Sequence, residues 1–198
     1  MNIELNHISK SYSGLPVLTD ISLTFCQGRC YCLMSPSGSG KTTLLRILMN
    51  LESPDSGTVT VDGQGGPGSL TVSAVFQEDR LCESFSPIDN VLMCTGNSMK
   101  PSRVRWELTR LLPEECLNRP VSTLSGGMKR RVAVLRALLT PSDVLIMDEP
   151  FTGMDEELKR SVISYIKERQ DGRILILSTH QEEDVALIGG ELVHLYTK

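Results

Sequence analysis

The sequence predicts an α/β fold: a mostly parallel sheet with helical crossovers and a helical segment inserted between two of its strands. Three observations predict it. Late in the chain, apolar runs at 144–147, 173–178 and 192–196 alternate with helical patterns at 156–169 and 182–188, the alternation that builds parallel sheets with crossovers. A loop rich in Ser and Gly at 35–40 sits between a short apolar run and a helical stripe. From Gln77 to about Pro141 the pattern changes to helices and loops. The 198 residues, 40% hydrophobic and 22% charged, suit one domain, 1–198, with the helical insertion at approximately 78–141.

In chain order, residues 2–6, 17–25 and 30–34 read as strands, with the turn Gln27-Gly28 between the second and third. A helix starts near Lys41, with Leu44, Leu45, Ile47, Leu48 and Leu51 as its apolar stripe, and Ser53-Pro54-Asp55-Ser56-Gly57 stops it. Residues 58–61 and 71–76 read as strands on either side of a Gly-rich loop at 63–68. Residues 89–94, 102–112 and 125–139 read as helices. In the last of these Met128, Val132, Leu135 and Leu139 recur at helical spacing as core, while Lys129, Arg130, Arg131 and Arg136 read as a solvated face.

Twenty Lys and Arg against 24 Asp and Glu give a net charge of −4, which argues against nucleic acid as the main partner. The apolar runs are too short to span a membrane, and the N-terminus lacks the basic and apolar stretches of a signal peptide. The six cysteines, at 26, 30, 32, 82, 94 and 116, form no Cys-x-x-Cys pair and have no His cluster beside them, so no zinc site is expected. Cys30 and Cys32 would share one strand face as buried thiols in a reducing cytoplasm. His7 and His194 are read as structural.

Two segments carry chemistry. Ser35-Pro36-Ser37-Gly38-Ser39-Gly40-Lys41-Thr42 lies between a predicted strand and a predicted helix, the context of a phosphate-binding loop. Gly38 and Gly40 let the backbone curl its N–H groups inward, the helix N-terminus adds partial positive charge, Lys41 neutralises phosphate, and Thr42 offers a hydroxyl to Mg²⁺. Ser35 stands where the strict pattern has Gly, which requires a negative φ there. Val144-Leu145-Ile146-Met147-Asp148-Glu149 is an apolar strand ending in two carboxylates. It delivers them at the sheet edge where ligands bind in open α/β folds. Asp148 is placed to hold Mg²⁺ through its water shell, and Glu149 to polarise a water.

With Leu124-Ser125-Gly126-Gly127-Met128 added to these, the chain resembles the ATPase subunit of ABC transporters, over essentially its whole length and with the motifs in the family's order. The resemblance implies a P-loop NTPase fold: a RecA-like, mostly parallel core, an N-terminal antiparallel β subdomain and an inserted helical subdomain. It implies that ATP is bound by Ser35, Pro36, Ser37, Gly38, Ser39, Gly40, Lys41, Thr42 and Thr43, with adenine stacked on Tyr12, 29 residues before Lys41. It implies Mg²⁺ held by Thr42, Gln77 and Asp148, and catalysis by Glu149, His180 and Lys41. Ser125, Gly126 and Gly127 would act in trans on nucleotide held by another copy, and Asp155 would face that copy. Ser125 also sits where a helix N-cap belongs, so a second helix N-terminus aimed at phosphate makes chemical sense.

The function so implied is Mg-ATP hydrolysis at a head-to-tail dimer that drives solute transport, with import favoured. The partners are membrane-spanning permease subunits, a second copy or a paralogous ATPase and, indirectly, a solute-binding protein; nucleic acid is not among them. The place is the cytoplasmic face of the cell membrane, peripherally. Met128 in place of the signature's usual Gln, together with Val75-Phe76-Gln77-Glu78-Asp79-Arg80-Leu81 and Pro87-Ile88-Asp89-Asn90-Val91, is similar to importer ATPases for nitrate, sulfonate and taurine. The 77–125 segment is short for the family, and no regulatory C-terminal domain is expected after the last strand. The other class carried is a soluble ABC-type ATPase serving cofactor assembly.

Overall fold

The computed structural model describes residues 1–36 and 38–195. Two sheets enclose one buried helix. The first is antiparallel, order β2-β1-β4, from β1 (Asn2–Tyr12), β2 (Leu15–Cys26) and β4 (Ser56–Val61). The second is parallel, order β5-β6-β7-β3-β8, from β3 (Cys30–Leu33), β5 (Val72–Val75), β6 (Val144–Asp148), β7 (Ile174–Ser178) and β8 (Glu191–Val193). Tyr196, in the last predicted strand, lies outside the described residues.

β6 and β7 are buried along their whole length, which is why they read as unbroken apolar runs rather than alternating ones. Successive side chains still go to opposite faces. Leu145, Met147, Leu175 and Leu177 join a core with the helices α4 (Gly126–Leu139) and α5 (Glu156–Arg169). Val144, Ile146, Ile174 and Ile176 join the other core, with Leu44, Leu45, Ile47 and Leu48 of α1 (Lys41–Leu48) and the inner face of the antiparallel sheet.

The remaining helices are α2 (Pro87–Thr95), α3 (Pro101–Thr109) and α6 (Glu182–Ile188). α2 starts with a capping box between Ser86 and Asp89 and a Pro at its first turn, so it begins earlier than the predicted residue 89. α2, α3 and α4 follow β5 and precede β6, as the change of pattern after Gln77 predicts.

Three expectations need correction. Leu51 is not part of the helical stripe: α1 stops at Leu48, Asn50 turns left-handed at φ 56, and Leu51 is 53% exposed. β1 does not end at residue 6. Its register slips between Leu5 and Ile8, with His7 at φ 55, and pairing resumes as far as Tyr12; a break in alternation looked like a strand end. The predicted 102–112 helix is α3 followed by a non-helical stretch in which Leu111 and Leu112 are still buried. Cys30 and Cys32 do share a face, both against Gly190, with Cys32 fully buried and Cys30 partly so.

The slip in β1 is matched across the sheet by Gly57, at φ 89. A Cβ there would lie 2.4 Å from the His7 carbonyl oxygen and 2.5 Å from that of Asn6. Gly57→Ala is therefore expected to cost about 2–3 kcal/mol, through a strained φ and a clash with backbone that cannot yield. A urea titration should show a lower midpoint at unchanged slope; an unmoved midpoint would show that the slip tolerates a side chain.

Candidate functional site

The candidate phosphate loop runs from the end of β3 into α1. Gly40, φ 85, is the N-cap of α1, which has no capping side chain and no acid in its first turn, whereas α2, α4 and α5 all carry a side-chain cap. Its first N–H groups are thus left for an outside acceptor. Gly40 is also pressed onto β2: a Cβ would sit 2.7 Å from Leu18 Cδ2 and 2.8 Å from the Val17 carbonyl oxygen. The Lys41 ammonium, with the residue 7% exposed, donates to the carbonyls of Ser35 (2.5 Å) and Pro36 (3.1 Å). Burial pushes its pKa down, while Glu149 and Asp148 pull the other way. Among the described residues the buried Ser39 hydroxyl has no partner. Ser37 lies outside the described residues. Thr43 follows in the first turn of α1, half-buried.

Ser35 is not among the positive-φ residues, as a side chain at that position requires. Its hydroxyl accepts from the Leu195 N–H (2.8 Å) and lies within donating distance of the carbonyls of Met34 (2.6 Å) and Leu195 (3.1 Å). The side chain absent from the strict glycine pattern thus ties the loop to the chain beyond β8.

β6 brings Asp148 beside Ser178 of β7 in register. Ser178 Oγ donates to Asp148 Oδ1 (2.5 Å) and accepts from the Glu149 N–H (2.9 Å). The Thr42 hydroxyl donates to Asp148 Oδ2 (2.9 Å), joining residues 106 apart in sequence. Glu149 turns left-handed, φ 50, and Oε1 meets His180 Nε2 at 2.6 Å. Gln77 lines a cavity of about 320 Å³ together with Thr42, Arg46 and Asp148.

 

A second cavity, of about 240 Å³, opens beside His180 and is lined by Glu149, Gly153, Lys159 and Gln181 among others. Behind it lies a buried polar network that the sequence did not reveal. The Lys159 ammonium is 3.0 Å from Asp184 Oδ1, both residues being 3% exposed. Thr179 Oγ1 donates to Asp184 Oδ2 (2.5 Å) and accepts from the Gln181 N–H (3.1 Å), and Lys159 also donates to Gln181 Oε1. The residues flanking His180 on both sides are therefore held by one ion pair.

Other expected residues stand apart from the loop. Tyr12 ends β1, 41% exposed, with Lys10 Nζ 5.5 Å from its ring centre. Ser125 caps α4, accepting from the Met128 N–H (3.3 Å), and Asp155 caps α5, accepting from the Leu158 N–H (2.9 Å). Among the described residues, no hydrogen bond joins 125–127 or Asp155 to 35–43.

The basic residues of α4 are not a solvated face. Arg130 is 4% exposed and donates to backbone carbonyls at Phe76, Gln77, Asp148 and Glu149. Arg131 reaches the Leu111 carbonyl (2.6 Å), Arg136 that of Arg80 (2.7 Å), and Lys129 pairs with Glu83 (2.8 Å). Helical spacing held a signal for the first: Arg130, Val134 and Ala137 fall on one buried face.

A profile of the family described as ABC transporter matches residues 18–152. The chain is 35% identical over 193 residues to a Nod factor export ATP-binding protein I of Cupriavidus pinatubonensis, covering 92% of this chain and 59% of that one. It is 34% identical over 202 residues to a spermidine/putrescine import ATP-binding protein of Legionella pneumophila, covering 96% of this chain and 56% of that one. The chain thus spans somewhat over half the length of these curated relatives. Its structure superposes on the dimeric structure of a bacterial ABC transporter cassette with a TM-score of 0.82 at 25% identity, covering 98% of this chain and 94% of that one.

The Lys159–Asp184 pair generates a prediction. Asp184→Asn leaves the buried Lys159 ammonium with only the exposed Glu156 carboxylate, 3.3 Å away, as counter-charge and is expected to cost about 3 kcal/mol, whereas Lys159→Met with Asp184→Leu should recover most of that loss. Burial lowers the Lys159 pKa, but Asp184 and Glu156 outweigh it, so the net shift is upward from 10.5. A raised lysine stabilises fully below its unfolded pKa and loses that contribution as pH rises through the folded one. The gap between wild type and Asp184→Asn should therefore hold constant through neutral pH and shrink only above about 10.4. Denaturant titrations at several pH values check this; a single variant no less stable than the double would remove the pair from its role.

Proposed function

We propose, from the premise that this chain belongs to the ABC transporter family, that it is the ATP-binding subunit of a transporter and hydrolyses Mg-ATP. The observation that carries the reading is the Thr42–Asp148 hydrogen bond, because it closes the phosphate loop onto the acidic strand end. The uncapped start of α1, the buried Lys41 ammonium and the unpartnered Ser39 hydroxyl all suit a bound polyanion.

The donor set fits Mg²⁺. The Thr42 hydroxyl, the Asp148 carboxylate and the Gln77 side chain, gathered at one cavity, offer hard oxygens of the kind that hold this ion beside nucleotide phosphates and waters. Bound there, Mg²⁺ would neutralise charge on the phosphates. The chain's own groups do the rest. Lys41 and the loop N–H groups hold the phosphates. Glu149 accepts a proton from the attacking water, and His180 donates a hydrogen bond to the terminal phosphate. His180 and Glu149 are now bonded to each other, so the incoming phosphate has to part them.

Two copies would enclose two nucleotides, each between one chain's loop and the partner's Ser125, Gly126 and Gly127, with Asp155 at the seam and Tyr12 stacked on adenine. The chain is read as one ATPase domain, 1–198, with its helical subdomain at approximately 78–141. Its partners would be permease subunits, with the chain held peripherally at the cytoplasmic face of the membrane; among the described residues no helix is long and apolar enough to cross one. Relatives serve both export and import. Import is favoured by Met128 and by the residue patterns at 75–81 and 87–91, which resemble those of importer ATPases for nitrate, sulfonate and taurine.

Glu149→Gln is expected to keep ATP binding and lose roughly 10²- to 10⁴-fold in phosphate release, the scale of a general base. The same variant should form an ATP-dependent dimer on size-exclusion chromatography; only monomer, with nucleotide bound, would overturn the shared site. Lys41→Ala should abolish the rise in Tm that Mg-ATP gives the wild type, and a retained rise would place the phosphates elsewhere. Co-purification with a polytopic membrane protein tests the transport role against a soluble one.

A further inference from the structure

One planar side chain bridges the two loops on which the proposed chemistry depends. Arg130 Nη1 donates to the carbonyls of Phe76 (2.5 Å) and Gln77 (3.3 Å) and to Asp79 Oδ1 (3.0 Å). Nη2 donates to the carbonyls of Asp148 (2.9 Å) and Glu149 (2.8 Å). The first set belongs to the loop that leaves β5 with Gln77, the second to the turn that leaves β6 with Asp148 and Glu149. These strands are neighbours, but their ladder ends at Val75–Met147. Beyond it, among the described residues, no backbone hydrogen bond joins 76–80 to 148–152. The guanidinium carries the connection past the point where the sheet stops.

Its acceptors are mostly backbone. Among the described residues Asp79 is the one carboxylate it meets, and the four carbonyls fix loop position whatever side chains those residues bear. A fork of donors in one plane can span both strands; a lysine ammonium, a compact charge, cannot reproduce that geometry. Arg130 also sits one turn into α4, the helix that Ser125 caps. Arg136 of the same helix holds the far end of the first loop through the carbonyls of Asp79 (3.2 Å) and Arg80 (2.7 Å).

We infer that Arg130 is a positioning residue that makes the Gln77 loop, the Asp148–Glu149 turn and the start of α4 respond as one unit when nucleotide enters. The inference rests on the nucleotide site proposed above. Hydrogen–deuterium exchange on the full chain tests it, with wild type, Arg130→Gln and Arg130→Lys, each with and without Mg²⁺ and a non-hydrolysable ATP analogue. Without nucleotide, residues 77–81 should exchange about tenfold faster in both variants, because local opening loses its restraint. With the analogue, the wild type should slow at 35–43, 77–81 and 149–153 together. The variants should slow at 35–43 while 77–81 no longer responds.

A folded variant in which 77–81 still slows as in wild type overturns the inference. Arg130→Lys keeps the charge and the stem, so the test stands if Arg130→Gln does not fold. Asp79→Asn removes the carboxylate but leaves the four carbonyl contacts, and should keep the joint response; losing it as fully as Arg130→Gln does would refute the backbone bridge. If the wild type shows no slowing at 35–43, the nucleotide reading fails instead. The nucleotide-free comparison then still decides on Arg130: unchanged exchange at 77–81 in both variants overturns it.

Discussion

The register of β6 against β7 is the constraint on which the site depends. Because Asp148 lies beside Ser178, one hydroxyl can hold the Asp148 carboxylate and the Glu149 N–H together. A slip of one residue would exchange the faces of Val144 and Ile146, matched to one core, with those of Leu145 and Met147, matched to the other. Apolar packing on both faces thus fixes where the polar residues emerge. The site is a product of the core rather than an addition to it.

The helical region is fixed to that core by more than apolar contact. Arg130 and Arg136 on α4 reach carbonyls of the 76–80 loop and the 148–149 turn. Arg173, at the entry to β7, reaches back to the carbonyls of Leu138 (3.0 Å) and Thr140 (3.2 Å) at the end of α4. A carbonyl at a strand end has lost its sheet partner, and a buried one must find another donor. Arginine supplies several at once, so a few basic residues satisfy the frayed edges of the sheet and orient α4 in doing so.

Much of this was legible in the sequence. Spacing puts Lys41 and Thr42 between a strand and a helix and Asp148 and Glu149 at a strand end, signals that are weak singly and strong together, and the Thr42–Asp148 hydrogen bond joins the two segments. Ser125 declared itself as a cap. Lys159 and Asp184 did not declare themselves, and Arg130 did so only through its helical spacing with Val134 and Ala137, because a charge in a sequence reads as solvated. What buries these three is a set of acceptors and counter-charges from distant segments, and backbone carbonyls carry no sequence signature at all. The irregular stretch of β1 was missed for a related reason: the register slip at His7 is a property of strand pairing and cannot be seen in one strand alone.

The buried Lys41 ammonium couples the phosphate loop to the proton. Folding lowers its affinity for H⁺, and an arriving anion must raise it again. With phosphate bound as proposed, occupation of the loop and uptake of a proton would be a single linked equilibrium in the alkaline range, and affinity for phosphate would fall as the solution becomes more basic.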